Sequence, residues 1–307
     1  MIATLPCLTS YEQELETSPE AFGWLRDSSA ISDNVPELRA RMAEEGYLFL
    51  PGYLNREEVI EARRVCVEKL AAAGQLDENF DAMDAVAAPR SEVKFMPELA
   101  KNNPALMKVL YDGPMIAFYE KLLGGPVRHF DFTWIRAIAP GRATPPHMDV
   151  VYMGRGTKNL FTSWTPLGDI DLETGGLIIL ENSHKHERLN KNYGAKDVDT
   201  FCANRRDENY AGMGGGGNIS NGGWLSRTPN TLRKNLGGRW LTAPQFRMGD
   251  LLAFSIYTVH ASLDNYSNRI RLSSDSRYQL ASETADERWI GENPIGHGPA
   301  GKHGMIC

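Results

Sequence analysis

The sequence predicts an α+β fold that is mainly β, with helices in its first part and a β-sandwich or barrel in its second. Three observations carry this. Up to residue 125, apolar residues recur at steps of three and four, the helical period. Beyond it, five segments rich in aromatic and aliphatic residues (127–139, 160–166, 176–181, 251–259 and 269–280) are separated by Gly, Pro, Asp and Asn, as strands are. The composition, 42% hydrophobic and 23% charged over 307 residues, excludes a disordered chain, a collagen-like fibre and a disulfide-dense miniprotein.

Taken in order, residues 1–35 are polar and weakly patterned, which predicts an N-terminal arm with short helical pieces. Residues 36–290 are expected to form one domain, and 291–307 a C-terminal tail. The run from Val35 reads as a helix stopped by Gly46, and 47–54 as a strand ended by Pro51-Gly52. Asn55, with Glu58 three residues on, has the form of a helix start. Val59, Ala62, Cys66 and Leu70 then mark one apolar face. Residues 105–125 are helical, broken near Asp112-Gly113-Pro114 and closed by Gly124-Gly125.

The formal charge of −6 disfavours a nucleic-acid partner. Cysteines 7, 66, 202 and 307 are too sparse for a disulfide framework and lack metal-ligand spacing, so they read as free thiols in a reducing compartment. The N-terminus lacks a basic, apolar-cored leader, and no apolar run approaches about 18 residues. A cytoplasmic protein with no membrane partner is the expectation. Within 191–240 ten of fifty residues are glycine, and eight basic residues against four acidic give +4. Such an insert reads either as a lid that attracts an anionic small molecule or as a solvated loop.

The candidate chemistry begins at His147-Met148-Asp149. On an extended backbone, residues two apart point to the same face, so one strand end can present an imidazole and a carboxylate to one ion. His260 follows the apolar run 251–259 at the end of another strand. Two histidines and one carboxylate are the facial set of non-haem Fe(II) oxygenases. Arg269, Arg271, Ser273, Asp275 and Arg277 alternate with Ile270, Leu272, Ser274 and Ser276. That alternation fits a central strand with buried polar partners, or equally an edge strand with a solvated face.

The ordered set His147-x-Asp149, His260, and Arg271 eleven residues later with Ser273 resembles the phytanoyl-CoA dioxygenase family. So do Gly46-Tyr47-Leu48-Phe49-Leu50-Pro51-Gly52, Trp164-Thr165-Pro166-Leu167, Glu173-Thr174-Gly175-Gly176-Leu177 and Glu181-Asn182-Ser183-His184-Lys185, over about residues 36–290. The resemblance implies a double-stranded β-helix, a cupin-like jelly roll with flanking N-terminal helices. It implies Fe(II), 2-oxoglutarate and O2 as metal and cosubstrates, and hydroxylation of a small organic substrate coupled to decarboxylation to succinate. It assigns His147, Asp149 and His260 to iron and catalysis. Arg271 and Ser273 would bind 2-oxoglutarate, with Arg269 as the competing arginine. Trp164 falls where the family places an aromatic near the metal, and Trp134 and Tyr152 are expected to line the pocket. His184 reads as structural, His129 as a satisfied strand residue, and His297 and His303 as solvated. Where the family often has Pro-Gly before Ser-His, this chain has Glu181-Asn182, an altered turn. The intact Asp149 argues for oxygenation over halogenation. The competing readings are a metal enzyme of the cupin type that uses no 2-oxoglutarate, and a jelly-roll binding protein without catalysis. The complete triad and the Arg271–Ser273 pair disfavour both.

Overall fold

The computed structural model describes residues 6–202 and 223–305. Two sheets face each other. The larger runs in the order Tyr47–Leu50, Leu251–Ser255, Phe161–Pro166 and Arg271–Leu280, all antiparallel. Val127–His129 and Trp134–Ile138 pair with the far edge of the last strand. The smaller sheet runs His260–Ser262, Leu177–Leu180, Trp240–Thr242 and Phe22–Trp24, with only its last pairing parallel. This is a jelly roll, and the inner faces of the two sheets enclose Trp164, Leu252, Phe254, Ile179, Leu241 and Phe246.

Helices cover the outer face of the larger sheet. Each starts and stops where the sequence signals. Asn34 caps Val35–Glu45 and Gly46 ends it at φ +77°. Asn55 accepts from the backbone N–H groups of Glu57 and Glu58 at the start of Arg56–Ala72. Asp112 divides Pro104–Tyr111 from Gly113–Leu123. Leu48, Leu50, Leu251, Ala253, Leu272 and Tyr278 pack outward against these helices, while their neighbours along each strand point inward. Tyr47–Leu50 is therefore buried at every position, which is why it reads as a continuous apolar run.

The N-terminal arm holds short strands, with one 3-10 turn at Ser29–Ile31 in place of a set of helical pieces. Phe22–Trp24 supplies the edge of the smaller sheet, and the buried Asp264 carboxylate accepts from the backbone of Tyr11 and Glu12. At the other end, His303–Met305 pairs in parallel with Thr200–Cys202. The core of the glycine-rich insert, with Gly214 to Gly217, Arg205 and Arg206, lies outside the described residues. Its described basic flank meets the arm, since Arg233 and Lys234 both reach Glu16, at 2.7 and 3.6 Å. Among the described residues no helix is long and apolar enough to cross a membrane.

Gly46 joins the helical layer to the jelly roll. Its carbonyl accepts from Ser255 N and Thr258 Oγ1, in the turn that leads to His260. A Cβ there would sit 2.3 Å from His184 Nδ1, on a backbone that disfavours L side chains. Gly46→Ala is expected to lower stability by about 1–3 kcal/mol in urea unfolding. Adding His184→Ala should recover part of that loss, because it removes the clash and leaves only the backbone cost.

Candidate active site

His147 and His260 stand opposite each other as an antiparallel pair, each N–H donating to the other's carbonyl at 3.0 Å. The pair sits at the mouth of the jelly roll and fixes two imidazoles side by side, ring centroids 4.2 Å apart. Asp149 lies two residues past His147, at the start of the single turn Val150–Met153. Its Oδ1 is 3.8 Å from His147 Nε2 and 3.7 Å from His260 Nε2. One ligand atom from each of the three residues lies within 4.8 Å of the others, and all three residues are buried.

Each outer contact aims a lone pair inward. His147 Nδ1 donates to Pro145 O at 2.9 Å and His260 Nδ1 to Thr258 O at 3.0 Å, which leaves both Nε2 atoms as bases facing Asp149. Burial pushes His147 down to about 3, helped by repulsion from His260, and burial likewise lowers His260. Both rings are thus neutral, the form that ligates a metal. Asp149 Oδ2 accepts from Thr162 Oγ1 at 2.6 Å and from Arg277 Nη2 at 2.9 Å, so Oδ1 is the oxygen left for an ion. Burial would raise this carboxyl, but the charge of Arg277 and the hydrogen bond from Thr162 hold it well below the usual range.

Arg271–Leu280 is a central strand, buried over nearly its whole length, so its polar side chains cannot be solvated. Arg271 is 2% exposed and donates to Gly175 O and, at 3.4 Å, to Ser262 Oγ, while its Nε has no partner. Among the described residues it has no carboxylate partner, and burial with repulsion from Arg136 lowers it to about 10. Gly175 permits this arrangement. At φ +80° its Cβ position lies 2.5 Å from Asp264 O, so only glycine lets that carbonyl reach Arg271. A cavity between Arg271 and the two histidines is lined by Arg136, Trp164, Leu177 and Ser262 among others. Ser273 is fully buried with its Oγ unpartnered, and it is not among the residues lining this cavity. Arg269 precedes the strand and is exposed.

A second cavity, about 240 Å³, adjoins the first at Arg136, Thr144 and His147 and reaches Asp149. Phe95, Trp134, Tyr152, Trp224, Arg277 and His297 line it together with His147 and Asp149. Trp134 and Tyr152 stand where the sequence reading expects them. His297 does not, since it is half-buried at this cavity, with Nδ1 2.7 Å from Asp199 Oδ2. His303 is exposed beside Arg155 at 3.2 Å, and His184 reaches Ala43 O. Asn182 takes φ +60°, the left-handed conformation that a glycine would otherwise supply before Ser183-His184. The sequence reading missed Thr162, Arg277, Arg136, Ser262 and His297 as members of the site. For Arg277 alone a signal was present, the polar alternation of its strand.

Three comparisons bear on this geometry. The family model described as phytanoyl-CoA dioxygenase matches residues 42–273. The 1-deoxypentalenic acid 11-beta-hydroxylase of Streptomyces arenae is 28% identical over 283 residues, covering 86% of this chain and 87% of that relative. Its counterpart from Streptomyces exfoliatus is 32% identical over 176 residues, covering 52% of this chain and 58% of the relative. The crystal structure of EctD from S. alaskensis with 2-oxoglutarate and 5-hydroxyectoine superposes with a TM-score of 0.56 at 18% identity, covering 96% of this chain and 95% of that one. At that identity the likeness is one of fold.

Thr162→Val removes one of the two bonds that orient Asp149 without changing the side chain's volume. Divalent-metal affinity, measured by titration under anaerobic conditions, is expected to fall about tenfold. Unfolding by urea should shift by much less than the alanine substitution of a core residue would cause.

Proposed function

The chain belongs to the phytanoyl-CoA dioxygenase family of iron- and 2-oxoglutarate-dependent oxygenases, and from that premise we propose that it uses O2 to hydroxylate a compact, hydrophobic organic acid. The observation that carries the cosubstrate is Arg271, a buried guanidinium without a carboxylate partner, set across a small cavity from three converging metal-ligand atoms. Burying an uncompensated charge is costly, and the distal carboxylate of 2-oxoglutarate is the partner that suits a forked donor.

The residues fit the metal. His147 Nε2, Asp149 Oδ1 and His260 Nε2 would hold Fe(II) on one face, with their outer contacts already fixing tautomer and orientation. When bound, Fe(II) with 2-oxoglutarate supplies the oxidising power to convert O2 and a C–H bond to an alcohol, with loss of carbon dioxide from the cosubstrate. What the chain does around it is positional. Arg271 and Ser262 bind the far end of 2-oxoglutarate, with Ser273 beneath them on the same strand face, and Trp164 walls the cavity. Phe95, Trp134, Tyr152 and Trp224 enclose the other side, exclude water and offer an apolar surface to the substrate.

The acidity of the substrate rests on Arg277. It is 2% exposed and lies over the Trp134 ring at 4.2 Å. Its Nε and Nη1 have no partner, and its Asp149 partner is also the metal's. An anion delivered by the substrate supplies the missing charge. The small cavity suits a single small molecule, and the named relatives act on an acid.

His147→Ala, Asp149→Ala and His260→Ala are each expected to abolish stoichiometric iron binding while the protein remains folded. Full iron occupancy in any of them would remove that residue from the site. Arg271→Ala should keep the iron and weaken 2-oxoglutarate by about 2–5 kcal/mol, read by isothermal titration of the anaerobic Fe(II) protein. Arg269→Ala should do much less, and the reverse order of the two would reassign the cosubstrate arginine.

A further inference from the structure

The C-terminal segment beyond the family match reaches the substrate cavity, and it does so through one titratable side chain. His297 lines the cavity, packed edge-on against Trp289 at 4.7 Å and Tyr152 at 5.8 Å. Its Nδ1 lies 2.7 Å from Asp199 Oδ2. Asp199 is itself locked in place. Arg288 Nη1 donates to it at 2.7 Å, Gly298 N donates to its Oδ1 at 3.3 Å, and its own carbonyl accepts from His303 N at 3.0 Å. Arg288 is in turn held by Asp286 and Asp197, and Arg155 joins Asp197 at 2.6 Å. Five charged side chains and a parallel strand pair thus serve to place one imidazole.

The same contacts set the chemistry of that imidazole. Burial would raise Asp199, but His297 and Arg288 hold it down to about 2, so it is ionised and can only accept. Nδ1 must then carry the proton, and in the neutral ring Nε2 is an acceptor. Among the described residues Nε2 has no hydrogen-bond partner. We propose that His297 is a substrate-binding residue whose Nε2 accepts a hydrogen bond from a hydroxyl already present on the acid.

Tyr152 packs edge-on against both His147 and His297, at 5.7 and 5.8 Å between ring centroids, and both histidines line the one cavity, so a single small molecule in it can meet this acceptor and the metal site. The substrate is therefore the product of an earlier step that installs an alcohol, either a hydroxylation or the reduction of a ketone. A site built to bond a hydroxyl discriminates against the analogue that lacks it, because an acceptor cut off from water by the bound molecule is then left unpaired.

The inference rests on the acid reading above, and one experiment separates their failures. Tryptophan fluorescence of the anaerobic protein loaded with Fe(II) and 2-oxoglutarate reports occupancy through Trp134 and Trp224, both in the cavity wall. The probes are 1-deoxypentalenic acid and a set of its monohydroxylated isomers. At least one isomer is expected to bind tenfold or more tightly than the parent acid. His297→Asn keeps an amide within reach of Asp199 but removes the cavity-facing nitrogen, so it should bind that isomer no better than the parent. Equal binding of parent and isomers to the unaltered protein overturns the inference and leaves the acid reading standing. So does a preference that survives intact in His297→Asn. Binding of none of the probes removes the acid reading and the inference with it. The comparison on the unaltered protein decides even if the variant fails to fold.

Discussion

A strand that carries charged side chains into a protein interior must find an opposite charge for each of them. Arg271–Leu280 is such a strand, and the layout of the site follows from how its charges are met. Asp275 is satisfied by Arg136 at 2.7 Å, a diagonal neighbour on the paired strand Trp134–Ile138, where Arg136 stands opposite Ser273. Arg277 meets Asp149 from the same inner face, where Thr162 on the neighbouring strand also reaches that carboxylate. Arg271 meets only a carbonyl and a hydroxyl. A folded chain keeps a deficit of this kind where a ligand is to fill it. The two deficits, at Arg271 and at the N–H groups of Arg277 without a partner among the described residues, line two different cavities that meet at His147.

The second constraint is backbone geometry. His260 opens the edge strand of the smaller sheet and His147 lies outside both sheets, and their mutual pair of hydrogen bonds sets the two imidazoles side by side facing Asp149. The turns around them are correspondingly tight. Gly46 receives two donors from the turn before His260, and Gly175 turns its carbonyl toward Arg271 where no Cβ would fit. The motif glycines are therefore part of the site's construction, although neither touches a metal ligand.

Much of this was legible in the sequence because it depends on local periods. Helix stops at Gly46 and Gly124, the cap at Asn55, and the apolar strands each depend on a few adjacent residues. The spacing from His260 to Arg271 is also local, since one turn and one strand separate them. What resisted reading depends on pairing between distant segments. Arg269, Arg271 and Arg277 look alike in the alternation, and only strand register shows that the first is outside the strand and the last beside Asp149. The N-terminal arm carries too little pattern to announce that Phe22–Trp24 completes a sheet 218 residues away at Trp240–Thr242. His297 appeared solvated because its neighbours are glycines and prolines. Its environment comes from Asp199 and Trp289, which the sequence places in other elements.

The division between the two sides of the metal has a physical reason. On the proposed reading the oxidising side presents the same ligands and the same guanidinium to the same cosubstrate; His147 is held by its backbone pair with His260, Asp149 opens a helical turn and Arg271 opens a central strand, all within the family match at 42–273. The substrate side must differ between enzymes that share that chemistry. On the proposed reading it is assembled from Tyr152 on a single helical turn, Trp224 within the insert and His297 in the C-terminal segment. Such segments can change without disturbing the register on which the triad depends. The buried Arg288 cluster gives the C-terminal segment the rigidity it lacks by length alone, since each of its carboxylates and guanidiniums would be costly to bury without the others. A side chain carried on a loop thereby gains a fixed position, and a histidine held that firmly can discriminate one hydroxyl from its absence.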